Sequence, residues 1–238
     1  MPTPKAPGTI DPLAREILEG LRDHPEAAAM VLGGGFALKH YLDARPTHDI
    51  DAWWAPNSTM AEQQQALSGL RAVVTAVADS HDLTVKQRSW GDVYSLDLIQ
   101  PTTGKATFSF QIADRDRYLE APRSSPWPPL PIESFHDTIA SKMSALVNRG
   151  APRDILDIYA LCRARLTTET AVWRLWRRKN PHLDETAAHD QIRHHAAALE
   201  ARRPLDSLLP EQRAAVGAVR AWLTNQLIDP TRNHTGDR

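Results

Sequence analysis

The sequence predicts an α+β fold: a mixed β-sheet with flanking helices, followed by a helical second half. Three observations carry this expectation. Apolar runs bounded by glycine and proline, the signature of strands, are confined to the first half, while helix-period patterns fill the chain from Ile132 onward. Between them lies a proline-laden stretch, Ala121 to Pro131 (APRSSPWPPLP), that cannot be regular structure. The expected parts are therefore residues 1–120 and 132–238, in a chain of 238 residues that has ample core for one large domain or two small ones.

Asp11 and Pro12 make a good helix start, and Leu13, Ile17, Leu18 and Leu21 then fall on one stripe up to His24–Pro25. Met30 to Leu32 reads as a short strand, and Gly33, Gly34 and Gly35 turn it into a helix of about two turns bearing Phe36, Leu38 and Tyr41. A further turn leads to a strand that carries Asp49 and Asp51. Residues 59–80 fit a helix with Leu67, Leu70, Val74 and Val77 facing inward. Strands are expected at Thr84–Arg88, Asp92–Ile99 and Ala106–Ile112, the last two joined by the loop Pro101 to Lys105. With Gln100 opposite Ala106, Asp97 faces Ser109 and shares a sheet face with Gln111; a one-residue slip would reverse that. The second half reads as helices at 132–149, 152–165, 168–179, 184–203 and 210–228, with Gly150 as a stop and Pro152 as a start.

The net charge of −1 hides an asymmetry: residues 1–150 carry 14 Lys/Arg against 18 Asp/Glu, and residues 151–238 carry 14 against 11. A basic run around Arg174, Arg177, Arg178 and Lys179 fits a solvated helix or a nucleic-acid face, and Trp173 and Trp176 beside it fit core more readily than base stacking. Cys162 is the only cysteine, which excludes an internal disulfide and suits a reducing compartment. No apolar stretch approaches a membrane span and the start (MPTPKAPGTI) has no signal-peptide core, so a cytoplasmic protein with no membrane partner is expected.

The chemistry concentrates in VLGGGFALKHYLDARPTHDIDAWW, Val31 to Trp54. Glycines let a backbone approach a phosphate closely. Asp49 and Asp51 flank Ile50, so on a strand both carboxylates leave the same face. Two such carboxylates repel unless a cation lies between them, and oxygen ligands that also meet phosphates suit Mg²⁺. In this arrangement the segment resembles the first motif of the nucleotidyltransferase superfamily. It is most similar to the AbiEii/AbiGii-type toxins, whose Gly-Gly-x-Ala-Leu and Arg-x-Thr/Ser-x-Asp-Ile-Asp stand here as Gly34, Gly35, Ala37, Leu38 and Arg45, Thr47, Asp49, Ile50, Asp51.

A second cluster lies in SKMSALVNRGAPRDILDIYALC. Asp154 and Asp157 share one helical face, Lys142 and Arg149 share another, and a helical hairpin would bring them together. Taken alone these are more readily surface salt bridges. They also match the second motif of the same family through Lys142, Ala145, Leu146, Arg149, Arg153, Asp154, Asp157, Ile158 and Tyr159. The resemblance implies a catalytic core in residues 1–120 and a helical region, 132–238, that completes the active site. It implies that Lys142 binds nucleotide phosphates and that Asp157 serves as metal ligand or base, with Asp154 pairing an arginine. Gly34 and Gly35 would cradle phosphate, and Asp49, Asp51, Lys142 and Asp157 would converge on one cleft.

Two positions depart from the family pattern: Ser141 replaces a glutamate before the lysine, and Gln111 stands where the superfamily has its third carboxylate. Asp97 is then a substitute metal ligand beside Asp49 and Asp51. The resemblance implies an Mg²⁺-dependent transfer from an NTP to a macromolecular acceptor, tRNA or protein, by a toxin with a cognate antitoxin. Small-molecule nucleotidylation and a catalytically reduced nucleotide- or RNA-binding remnant remain as alternatives. Arg45 fits a structural role, and His48, exposed in a turn, is left out of the site.

Overall fold

The computed structural model describes residues 2–115, 117–128 and 130–229. They fall into two compact units, within Met1–Thr138 and Ile139–Arg238.

In the first unit the helix Pro12–Gly20 (α1) starts where Asp11 accepts hydrogen bonds from the amides of Leu13 and Ala14, satisfying donors the helix itself leaves over. The strand Met30–Leu32 (β1), the short helix Gly34–Lys39 (α2) and the strand Ile50–Trp54 (β2) follow. The helix Met60–Ser80 (α3) opens with a capping box between Thr59 and Glu62. Three strands complete the unit's sheet: Thr84–Trp90 (β3), Val93–Ile99 (β4) and Ala106–Ala113 (β5). The order is β1-β2-β5-β4-β3, with β2 and β5 parallel and every other pair antiparallel. This is the mixed sheet the sequence predicts.

Alternation divides the sheet into two faces. Ile50, Ala52, Leu96, Leu98, Phe108, Phe110 and Ile112 join the buried core with Ile17 and Leu18 of α1 and Leu70, Val74 and Val77 of α3. Asp51, Gln111, Ser95 and Asp97 lie on the other face by register. The expected pairing of Asp97 with Ser109 holds, and an irregularity between Leu98 and Ile99 shifts the hairpin end, so that Ile99 rather than Gln100 meets Ala106.

The proline-rich stretch belongs to the first unit. The amide of Leu32 donates to Pro131 O and that of Glu133 to Leu32 O, so this stretch lies alongside β1. The division between units falls inside the helix Phe135–Arg149 (α4) instead of at the prolines. The rest of the second unit is helical: Pro152–Arg163 (α5), Glu169–Lys179 (α6), Glu185–Arg202 (α7) and Pro210–Trp222 (α8), the last continued by a wider turn over Leu223–Ile228. Trp173 and Trp176 of α6 are buried edge-to-face at 5.6 Å, and Trp173 Nε1 donates to Leu227 O, so both rings are core and neither is offered to a base.

Candidate active site

The glycine turn is held directly against the strand that carries the acids. The β1–β2 ladder extends one step past Leu32, with the Gly33 amide donating to Asp51 O at 2.8 Å. Gly34 has φ +58°, a left-handed conformation that favours glycine, and a Cβ there would overlap the Asp51 carboxylate. Glycine is therefore required twice at this position. Asp49 sits just ahead of β2 and is exposed, while Asp51 is half-buried; their spacing puts both on one side. Substituting Gly34→Ala is expected to destabilise the protein by about 1–3 kcal/mol through backbone strain. It would also push the Asp51 carboxylate out of place, so thermal unfolding and nucleotide transfer should both fall. Unchanged values for both would show that the close packing of Asp51 on this turn has no consequence.

The connection from α2 to β2 is clamped from below. Lys39, buried on α2, forms an ion pair with Asp43 and donates to Thr9 Oγ1 at 3.3 Å and to Arg45 O at 3.0 Å. Asp43 also accepts the amides of Gly8 and Thr9. Burial alone would raise the Asp43 carboxyl, but Lys39 and these amides outweigh it and hold it below its ordinary value. The i,i+4 spacing of Lys39 and Asp43 is the sequence signal for this clamp. Thr47 Oγ1 and Arg45 Nη2 lie 3.0 and 3.5 Å from where a Cβ on Gly35 would be. Thr47 Oγ1 is buried without a hydrogen-bond partner. His48 is tied at 3.0 Å to Asp11, the cap of α1, which gives it a structural role.

Across the sheet, Gln111 is the β5 residue paired with Asp51, and Ser95 of β4 pairs in turn with Gln111. Gln111 thus occupies the place beside Asp51 without bringing a charge, its amide nitrogen donating to Ser109 Oγ at 3.2 Å. Asp97 is on the expected face but fully engaged. Its Oδ1 accepts from Ser95 Oγ at 2.8 Å and Ser109 Oγ at 2.9 Å, and its Oδ2 pairs with Arg88 Nε at 2.5 Å. Burial works to raise this carboxyl; the hydrogen bonds from Arg88, Ser95 and Ser109 and the Arg88 charge overcome it and lower it. Two strand spacings across the sheet and two residues along β4, about 12 Å in all, separate the backbones of Asp51 and Asp97. Trp53, two residues past Asp51, packs on Gly33 and lies under the guanidinium of Arg115, 4.6 Å from its ring centre; Arg115 is paired with buried Glu133. Nothing in the sequence pattern pointed to that support.

In the second unit, the predicted helical hairpin forms and its charges meet. Lys142 Nζ of α4 lies 2.8 Å from Asp157 Oδ2 of α5, with side chains 7% and 1% exposed. Arg149 grips Asp154 through two hydrogen bonds, of 2.8 and 3.0 Å. The first pair is buried, not the surface bridge that helix charges usually make. Cys162 on α5 is inert: burial, with Glu169 adding to it, pushes its thiol up to about 12.

Three comparisons with known proteins bear on these residues. No curated protein matches the chain. Among solved structures it is similar to MenT4, a nucleotidyltransferase toxin of Mycobacterium tuberculosis H37Rv, at 19% identity and a TM-score of 0.39, covering 68% of this chain and 60% of that one. The chain thus spans three-fifths of that protein's length. The family described as "Nucleotidyl transferase AbiEii toxin, Type IV TA system" matches residues 16–225, a span that includes both the glycine–aspartate turn and the Lys142–Asp157 hairpin. By that match over most of its length, the chain belongs to the AbiEii nucleotidyl transferase toxin family.

Proposed function

We propose that this protein transfers a nucleotide from an NTP to a macromolecular acceptor, a tRNA or a protein, and acts as the toxin beside a cognate antitoxin. The observation that carries the reading is the Gly34–Asp51 contact, a backbone turn shaped around a carboxylate, with Thr47 Oγ1 buried and unpartnered beside Gly35. A triphosphate lying on this turn would give that hydroxyl an acceptor and would meet the amides of Gly34 and Gly35.

Oxygen-only donors on one side of β2 suit a hard cation such as Mg²⁺, held by Asp49 and Asp51. Two carboxylates leave most of such a cation's ligand positions open, and phosphate oxygens of the NTP complete the set. Bound there, Mg²⁺ supplies positive charge that offsets the charge of the leaving pyrophosphate. Asp97 has its oxygens committed to Ser95, Ser109 and Arg88, and in this reading it fixes Arg88 instead of joining the cation.

In the reaction an acceptor hydroxyl oxygen bonds the α-phosphorus of the NTP, the bond from that phosphorus to the α–β bridging oxygen breaks, pyrophosphate leaves, and the hydroxyl proton passes to solvent. Lys142 is the cation that the second motif offers to phosphate as a point charge, and Asp157 orients it. The uncharged Gln111 beside Asp51 is the one observation that favours a catalytically reduced nucleotide-binding protein instead.

The test is incubation with each α-labelled NTP, Mg²⁺ and either total tRNA or cell protein. Label in the acceptor is expected. Binding of an NTP with no label transferred would move the reading to the reduced protein, and no binding at all would end both.

A further inference from the structure

The face that carries Asp51 does not stop at the acids. Register continues Asp51 (β2), Gln111 (β5), Ser95 (β4) and Arg88 (β3) as one cross-strand row, with Asp97 and Lys86 paired one step along and Trp90 two residues beyond Arg88. Lys86, Arg88 and Trp90 therefore share one side of β3, the side of Asp51. All three are exposed, Arg88 at 48% and Trp90 at 46%, and the Arg88 guanidinium lies 5.4 Å from the Trp90 ring centre. The strand TVKQRSW contains no acid; Asp82 precedes it and Asp92 follows at the hairpin tip.

Lysine and arginine on an edge strand also discourage pairing with other chains, but that does not account for an open indole between them and the hairpin tip. A large aromatic ring left in water beside two cations is the combination that takes a nucleic-acid strand, bases on the ring and phosphates on the charges. Asp97 neutralises part of Arg88 and holds it in place, and among the described residues Lys86 enters no ion pair. Three strand spacings put Arg88 about 14 Å from Asp51, about the length of four stacked nucleotides.

We propose that the Lys86–Arg88–Trp90 face of β3 binds the single-stranded end of a nucleic-acid acceptor, about four nucleotides back from the hydroxyl that reacts at Asp51. This rests on the nucleotidyl-transfer reading and chooses nucleic acid over protein as the acceptor. The direct test measures the affinity of the full chain for a fluorescein-labelled, unstructured RNA twelve-mer by anisotropy, across a salt series and without NTP. Trp90→Ala is expected to weaken binding about tenfold, with Trp90→Phe restoring most of it. Lys86→Glu should weaken it and lower the salt slope by about 1 or more, while Lys86→Arg preserves both. Arg71→Glu, on α3 and packed against the opposite sheet face, should bind as wild type does.

Wild-type affinity in Trp90→Ala and Lys86→Glu, or no binding of the RNA by wild type at low salt, would overturn the proposal. Transfer is then assayed separately. Label appearing only in protein, or in RNA with the same KM in both variants, also overturns it and leaves nucleotidyl transfer standing. RNA binding that depends on Trp90, in a protein that transfers nothing, supports the surface and overturns the transfer reading alone.

Discussion

Asp51→Ala is expected to abolish nucleotide transfer, by about a thousandfold or more, while leaving the fold intact. The size follows from the chemistry: the cation's stabilisation of developing charge is worth several kcal/mol, and each 1.4 kcal/mol or so is a factor of ten in rate. The tolerance follows from position. Asp51 is half-buried, lies beside exposed Asp49 and packs on a glycine, so its removal relieves like-charge repulsion and opens no cavity in the core. At a half-buried position such a change is expected to cost no more than about 1 kcal/mol, or about 2–4 °C in thermal midpoint for a chain of this size. Asp51→Asn, which keeps the shape and removes the charge, should fail almost as completely. Transfer at the wild-type rate in either variant, with Mg²⁺ still required, would show that the cation is held by other residues. The same preparations test the origin of the ligand set. With only two protein carboxylates beside uncharged Gln111, Mg²⁺ should bind weakly to wild type alone and more tightly once NTP supplies its phosphate oxygens.

How much of this was legible in the sequence depended on whether the signal was local. Strand and helix positions, the α1 and α3 stripes and the Asp97–Ser109 register could all be read, because alternation, helical period and hairpin loop length each constrain a short stretch. The Gly34–Asp51 contact was implied by motif order but not its reason, since the left-handed φ of Gly34 and the carboxylate in its Cβ space appear only when β1 and β2 are paired. What escaped was the partner of each charge. Asp97 was expected at a cation because its face was known; that Ser95, Ser109 and Arg88 would occupy its oxygens depended on side chains from three strands. The proline-rich stretch was read as a boundary by composition, yet its Pro131 carbonyl is the acceptor that the edge strand β1 needed, a non-local demand composition does not reveal.

Breaking the Lys142–Asp157 pair from either side is expected to cost stability as well as activity. Both side chains are almost fully buried, so Lys142→Met takes from the Asp157 carboxylate the ammonium that faces it, and Asp157→Leu takes from the Lys142 ammonium the carboxylate 2.8 Å away. Removing one member of a buried pair typically costs about 3–5 kcal/mol, here a fall of about 6–20 °C in thermal midpoint. The double variant Lys142→Met/Asp157→Leu should recover most of that loss, because two apolar side chains of similar volume replace two desolvated charges. Transfer should not recover with it, since the double variant lacks the Lys142 ammonium proposed to meet the phosphates. That separation matters: a purely structural pair would give activity that tracks stability through all three variants, and a purely catalytic one would leave the single variants as stable as wild type. Stability restored with transfer still absent is the one result that assigns both roles to Lys142 and Asp157.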